Sequence, residues 1–347
     1  MRIAINGCGI AGPALAWWLK RYGFEPTIFE KADAPRSGGY LIDFWGEGYA
    51  IAEKMGLLSV LKARAHNVEE MRIVSREGAP IARLSLTKIR EQLGGRFLSI
   101  SRGDVAIALY EALDSIPVRF GKSVLGFRKS VNEQGVELNF SDGTSESFDL
   151  LIGADGLHSH VRQILFKETP EKEMGACVAA FTAHDYRYKD DSAYVLYQSD
   201  KKQMARTTLA DGRTMFLLTF RSELVPEGAS IDDPRPLLRT IYEGSGWESE
   251  TALQAMDDSD DLYFDRVSQI RLDHWSDGPV ALIGDAAACA SLLAGEGTGL
   301  AMIESYVLAG ELYRADGDYS KAFRNYEERL SKFLRKKQNA ARSMVAF

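Results

Sequence analysis

A short apolar run, RIAIN (2–6), leads directly into Gly7-Cys8-Gly9-Ile10-Ala11-Gly12, then into the helical stretch PALAWWLKRYG (13–23) and a second apolar run, PTIFE (26–30). Strand, glycine turn, helix and strand within thirty residues make one βαβ unit, which requires the two strands to lie parallel. The three glycines meet three needs. One permits a tight turn, one lets a pyrophosphate approach the backbone, and one lets the helix pack close to the sheet, while the helix N-terminus stabilises the phosphate charge. Ile10 and Ala11 supply backbone within the same turn. The pattern continues through Ala16, Leu19 and Gly23 to Glu30, where a carboxylate accepts from a ribose hydroxyl, with Lys31 beside it. Glu30 also opposes a 2′-phosphorylated dinucleotide here, because two negative charges would meet; NAD and FAD remain.

The rest of this sheet comes from distant pieces. DLLIGADG (149–156) and PVALIGDAA (279–287) read as buried parallel strands. Asp155-Gly156 taken alone is a plain turn. Asp285, after Gly284, stands past the carboxyl end of a strand, where open α/β sheets bind ligands, although taken alone an N-cap aspartate is the better reading of these residues. SISRGDVAIALYEALDSI (99–116) is a strand end followed by a helix, and 118–148 alternates as an antiparallel meander with turns at Asn132-Glu133-Gln134-Gly135 and Ser141-Asp142-Gly143. Two further hairpins, 71–86 around Arg76-Glu77-Gly78 and 203–220 around Asp211-Gly212, belong to a second sheet. The expected fold is α/β: a Rossmann-like domain of the GxGxxG type (1–65, 99–170, 275–315) interleaved with a domain on a mostly antiparallel sheet (66–98, 171–274). A C-terminal helix (316–347) follows a break at Asp316-Gly317-Asp318, and its basic run RLSKFLRKKQNAARSM reads as a solvated face packed on the body.

Composition narrows the function. With 347 residues, 45% of them hydrophobic, the chain can bury a large core, and no segment approaches the roughly 20 apolar residues of a membrane span. The N-terminus starts as a strand, with no cleavable signal, so a cytoplasmic setting is expected. Cys8, Cys177 and Cys289 are isolated, which fits buried thiols and neither a disulfide framework nor a CxxC metal site. The net charge of −7 opposes a nucleic-acid role, leaving small molecules as partners. His158 and His160 lack a third ligand nearby, so no metal site is expected. No Ser-His-Asp set appears and no second GxGxxG, so any nicotinamide cofactor would bind transiently.

Taken together, the GxGxxG with Glu30, the Asp155-Gly156 pair and the Gly284-Asp285 pair make the chain resemble the FAD-dependent aromatic hydroxylases of the para-hydroxybenzoate hydroxylase type. That family of single-component flavoprotein monooxygenases includes tetracycline-inactivating members. The resemblance implies that Gly7, Gly9, Gly12 and Glu30 bind the ADP half of FAD and that Arg102, in an R-x-x-L-like helix start with Val105 in the leucine's place, approaches the cofactor. It further implies that Asp155 and Gly156 serve FAD and the nicotinamide donor, that Asp285 binds the ribityl chain, and that Gly295, Gly297 and Thr298 open a helix at the flavin's pyrimidine edge. The implied activity is hydride transfer from NADPH or NADH to FAD, addition of O2 to give a C4a-hydroperoxide, and hydroxylation of a small aromatic or polyketide-like substrate. Tyr40, Asp43, Phe44 and Trp45 are expected to approach the flavin ring, with Asp43 the candidate polar residue near the reacting region. Arg206, Thr208 and Phe216 are candidates for the far wall. Three positions depart from the family's GDAAH, proline and GQG: Ala288, Leu292 and Glu296. A reductase of the geranylgeranyl type and a non-catalytic FAD-binding protein are the alternatives.

Overall fold

The computed structural model describes residues 1–35, 38–129, 135–167, 171–184, 186 and 192–342. Arg2–Asn6 lies inside a six-stranded sheet, between Leu150–Gly153 and Glu25–Phe29, with which it pairs in parallel. Val280–Leu282 continues the parallel order beyond Leu150–Gly153, and short edges at Ser276–Asp277 and Val118–Arg119 close the two sides. The inner strands are apolar without alternation because both of their faces are covered. Helices Ala11–Arg21 and Gly297–Arg314 pack on one another, and Tyr319–Ala341 packs on the latter. The last helix buries a stripe at Ala322, Phe323, Tyr326, Leu330, Leu334, Gln338 and Ala341, the three- and four-residue spacing of one helix face. Asp318 caps it by accepting from Lys321 N at 3.1 Å, at the break expected there.

A second, seven-stranded sheet runs in the order Tyr263–Ile270, Glu171–Ala183, Thr214–Arg221, Lys202–Thr208, Ala193–Ser199, Glu70–Val74, Pro80–Ser85. It is antiparallel except where Ala193–Ser199 meets Glu70–Val74. Both expected hairpins are present, turning at Gly78 (φ +84°) and Gly212 (φ +82°). Helices Arg235–Tyr242 and Ser249–Asp257 cover one face of this sheet through Leu237, Leu238, Ile241, Leu253 and Met256. The other face carries Ala176, Val178 and Val267, and Leu292 and Leu293 pack on it. The meander is Val124–Lys129, Val136–Phe140 and Ser145–Phe148; of its two expected turns, residues 132–134 of the first lie outside the described residues. Leu41–Trp45 and Phe97–Ser101 form a separate antiparallel pair, so the strand at 97–101 spans the expected boundary between 98 and 99.

Candidate functional site

The glycine turn separates into positions that the fold needs and one that it does not. Gly7 has φ +114°, and a Cβ there would lie 2.4 Å from Ala154 O on the exit of a neighbouring strand. At Gly12 a Cβ would lie 2.0 Å from Gly7 O. A Cβ on Gly9 would meet nothing within 4 Å. Ile10, the N-cap residue of Ala11–Arg21, provides no side-chain cap, so the first N–H groups of that helix are available to a ligand. The Glu30 carboxylate is buried and accepts from Cys8 N at 2.8 Å and Ala32 N at 3.0 Å, which braces the turn from the second strand. Burial and the Glu30 charge push the Cys8 thiol up to about 12, so it stays neutral. Lys31 is exposed.

Gly284 sits against both long-helix starts: a Cβ there would come within 3.1 Å of Ala11 Cβ and 3.6 Å of Ala301 Cβ. Its φ of +62° aims the chain into the short helix Asp285–Ala288. The cap position of that helix is Gly284 and has no side-chain cap, so Asp285 is not used as an N-cap. Its carboxylate faces Gly297, whose added Cβ would lie 3.9 Å from Asp285 Oδ1, and it raises the already buried Cys289 thiol. Gly295 takes the left-handed conformation at φ +66°, and Gly297–Arg314 again starts without a side-chain cap, with Thr298 buried in its first turn. Glu296 instead binds Lys337 of the last helix at 2.7 Å. Leu292, where the family has a proline, packs on the second sheet, and Ala288 is buried.

The Asp155 carboxylate is already engaged within the protein: it accepts from Asn6 Nδ2 at 3.1 Å, Ser159 Oγ at 2.5 Å, His160 N at 2.9 Å and Val161 N at 3.1 Å. It joins the first strand to helix His160–Phe166, while Gly156 turns away at φ +80° with open space at its Cβ position. His158 and His160 take separate partners, Asp265 (Nε2 to Oδ2, 3.1 Å) and Leu125 O (3.2 Å). Arg102 opens helix Arg102–Glu111, its N–H donates to Tyr40 O at 3.0 Å, and its guanidinium has no hydrogen bond or ion pair among the described residues. Burial, opposed by the Arg102 charge, pushes the Tyr40 hydroxyl up to about 12, and its ring lies 6.4 Å from that of Tyr263.

Asp43 is open to solvent yet desolvation by the surrounding protein raises its carboxyl, as happens in a concave cleft; Ser99 Oγ donates to it at 2.8 Å. Burial and then the Asp43 charge raise the hydroxyl of Tyr194, which lies on strand Ala193–Ser199 of the second sheet. Phe44 is core and Trp45 is 46% exposed. Arg206, Thr208 and Phe216 do not line this cleft. Phe216 stacks on Phe181 under the helix layer, and Arg206 and Phe216 are direct cross-strand neighbours, as are Thr208 and Thr214, so all three expected wall residues share that face. Arg206 is 1% exposed and donates to Glu248 Oε2 at 2.6 Å.

Two residues that build the site were not assigned a role from sequence. Glu304, 1% exposed, accepts from Gly284 N at 2.7 Å and from Tyr326 OH at 3.0 Å, and burial pushes its carboxyl up to about 8. Arg162 donates to Leu157 O at 2.5 Å and Ala286 O at 3.2 Å, tying the Asp-Gly loop to the Gly-Asp helix. An acidic residue inside the apolar run GTGLAMIESYVLAGEL was the available signal for Glu304; Arg162 gives none.

Residues 1–328 match the profile of the FAD binding domain family. The chain is 35% identical to a flavin-dependent monooxygenase from an unknown prokaryotic organism, across 97% of this chain and 87% of that protein. The chain belongs to the FAD binding domain family. It is a flavin-dependent monooxygenase with the fold expected from its sequence. Among solved structures, the tetracycline destructase Tet(51) superposes with a TM-score of 0.86 at 32% identity, covering 97% of this chain and 88% of that one. Klebsiella pneumoniae HpxO, crystallised with FAD and uric acid, shares the fold (TM-score 0.83, 24% identity, 99% of this chain and 88% of that one). The residues present fit the FAD of this family on this chain's own geometry: an open Gly9, two uncapped helix starts beside one turn, and at Arg102 a guanidinium unpartnered among the described residues. No helix among the described residues is long and apolar enough to cross a membrane.

Proposed function

We propose that this flavin-dependent monooxygenase consumes NADPH or NADH and O2 to hydroxylate a small aromatic or polyketide-like compound in a cytoplasmic setting. The observation that carries the reading is the meeting of Ala11, Gly284 and Ala301 at the carboxyl edge of the parallel sheet, which brings two uncapped helix N-termini to one place. Bound FAD supplies the redox chemistry, accepting a hydride and activating O2. The chain supplies position and charge. N–H groups from Gly7 to Gly12 meet the pyrophosphate, Glu30 adds a ribose hydroxyl to the donors it already accepts, and Asp285 accepts from a ribityl hydroxyl. Gly295, Gly297 and Thr298 direct N–H groups and a helix N-terminus at the edge of the ring where negative charge develops. Arg102 approaches the cofactor from the opposite strand pair, beside Tyr40. Asp155 acts through structure, fixing the first strand and the Asp-Gly loop against which the cofactor lies, with Gly156 leaving room there. The cleft beside Asp43 receives the substrate. The name of the tetracycline destructase relative supports a multi-ring substrate class. Anaerobic mixing of the holoprotein with NADPH or NADH tests the reading: reduction should accelerate when a suitable phenolic compound is added. A flavin that neither donor reduces under any of these conditions would refute it.

A further inference from the structure

Beside the pair Leu41–Trp45 and Phe97–Ser101, His66 N donates to Ser99 O at 2.7 Å, so Asp43, Ser99 and His66 form one cross-strand row. Side chains directly opposite across such pairs project from the same face. Next to the row is a cavity of about 320 Å³ lined by Lys62, His66, Asn67, Arg90, Phe97 and Ser99. His66 is 6% exposed, and among the described residues neither of its ring nitrogens has a hydrogen-bond partner. Buried polar groups are nearly always paired, so two orphaned nitrogens on one ring call for an explanation, and a turn of the ring toward the cavity would bring them to a ligand there. The volume is well above the roughly 10–15 Å³ that a single water needs. The walls are also specific. Arg90 donates to Val68 O at 3.2 Å, its other nitrogens have no hydrogen bond among the described residues, and the guanidinium stands 5.9 Å from the centre of the Phe97 ring. Ser99 turns its hydroxyl to Asp43, which links the cavity to the cleft assigned to substrate.

We propose that this cavity is a subsite for an anionic oxygen substituent, a carboxylate or an ionised phenol or enol, carried on a flat apolar body. Arg90 meets the charge, His66 donates to the same oxygen or its neighbour, Lys62 adds positive field at the rim, and Phe97 covers the apolar part. The assignment rests on the hydroxylase reading, since it names the class of compound that reading leaves open. Benzoate and its neutral isostere benzamide are the probes, titrated calorimetrically against the holoprotein with FAD content measured in parallel. Benzoate should bind at least tenfold more tightly than benzamide. Arg90→Gln and His66→Phe should each weaken benzoate at least tenfold with FAD content and thermal midpoint kept, while His66→Gln, which retains a donor, should stay within about threefold of the parent. Equal binding of both probes, binding of neither, or an unchanged benzoate affinity in Arg90→Gln and His66→Phe would reduce the cavity to a water-filled gap and overturn the proposal. A protein that fails to bind FAD would instead refute the hydroxylase reading, and the dependence of benzoate on Arg90 would still be measurable.

Discussion

Replacing Gly9 and Gly12 by alanine, one at a time, separates what the fold requires from what the ligand requires. At Gly12 the new Cβ would stand 2.0 Å from Gly7 O, more than 1 Å inside ordinary contact, and the neighbour is backbone that cannot rotate aside. Overpacking of this kind costs about 1–3 kcal/mol or more, a large part of a typical total of about 5–15 kcal/mol. At Gly9 the new methyl meets nothing within 4 Å, and the φ of that residue is not in the left-handed range. Gly9→Ala should therefore leave apo-protein stability within about 0.5 kcal/mol, as for surface substitutions. In the proposed site the same methyl stands where a pyrophosphate would approach the backbone, so FAD affinity should fall at least tenfold, about 1.4 kcal/mol. Urea unfolding of the apo-proteins and FAD titration by fluorescence quenching measure the two quantities. The reasoning fails if Gly9→Ala binds FAD like the parent, or if it destabilises the apo-protein as much as Gly12→Ala does.

Asp285→Ala should lose about 1–3 kcal/mol of FAD affinity, the value of a buried hydrogen bond to a charged acceptor, with apo-protein stability nearly unchanged because Asp285 does not cap its helix; equilibrium FAD titration and thermal unfolding check the two halves. Glu304 titrates at about 8 in the folded protein, above the usual carboxyl value near 4.3, so between these values the folded state holds a proton that the unfolded state has lost. Stability should fall as pH rises through that window, and Glu304→Gln should flatten the slope, as seen in urea unfolding at pH 5, 6.5 and 8; parallel profiles for parent and variant would refute the assignment.

What the sequence disclosed was local. The glycine turn, the hairpins at Gly78 and Gly212 and the helix break at Asp316-Gly317-Asp318 are each specified by backbone conformations that few residues adopt, so a few letters identify them. The facing of the second sheet was not legible. Met204, Ala205, Arg206 and Thr207 are all buried, because helices cover one face of the sheet and the rest of the protein meets the other, so alternation carries no sign. Arg206, a candidate for the far wall together with Thr208 and Phe216, is held by Glu248 and Trp247 under the helix layer. Asp155 was legible as a motif and not as a hub, since three of its four donors come from residues four to six positions later and the fourth from the first strand. Glu304 and Tyr326 meet Gly284 only after two helices have packed, a contact set by tertiary structure alone.

The central claim, that this chain places one atom of O2 into an organic substrate, is tested most directly with isotopically labelled oxygen. Holoprotein, NADPH or NADH and an acidic phenolic substrate are incubated under ¹⁸O2 in ordinary water, and the product is weighed by mass spectrometry. The account predicts a product carrying one ¹⁸O atom and formed only when O2 is present. A product formed at full rate without O2, or one whose new oxygen comes wholly from water, would contradict it.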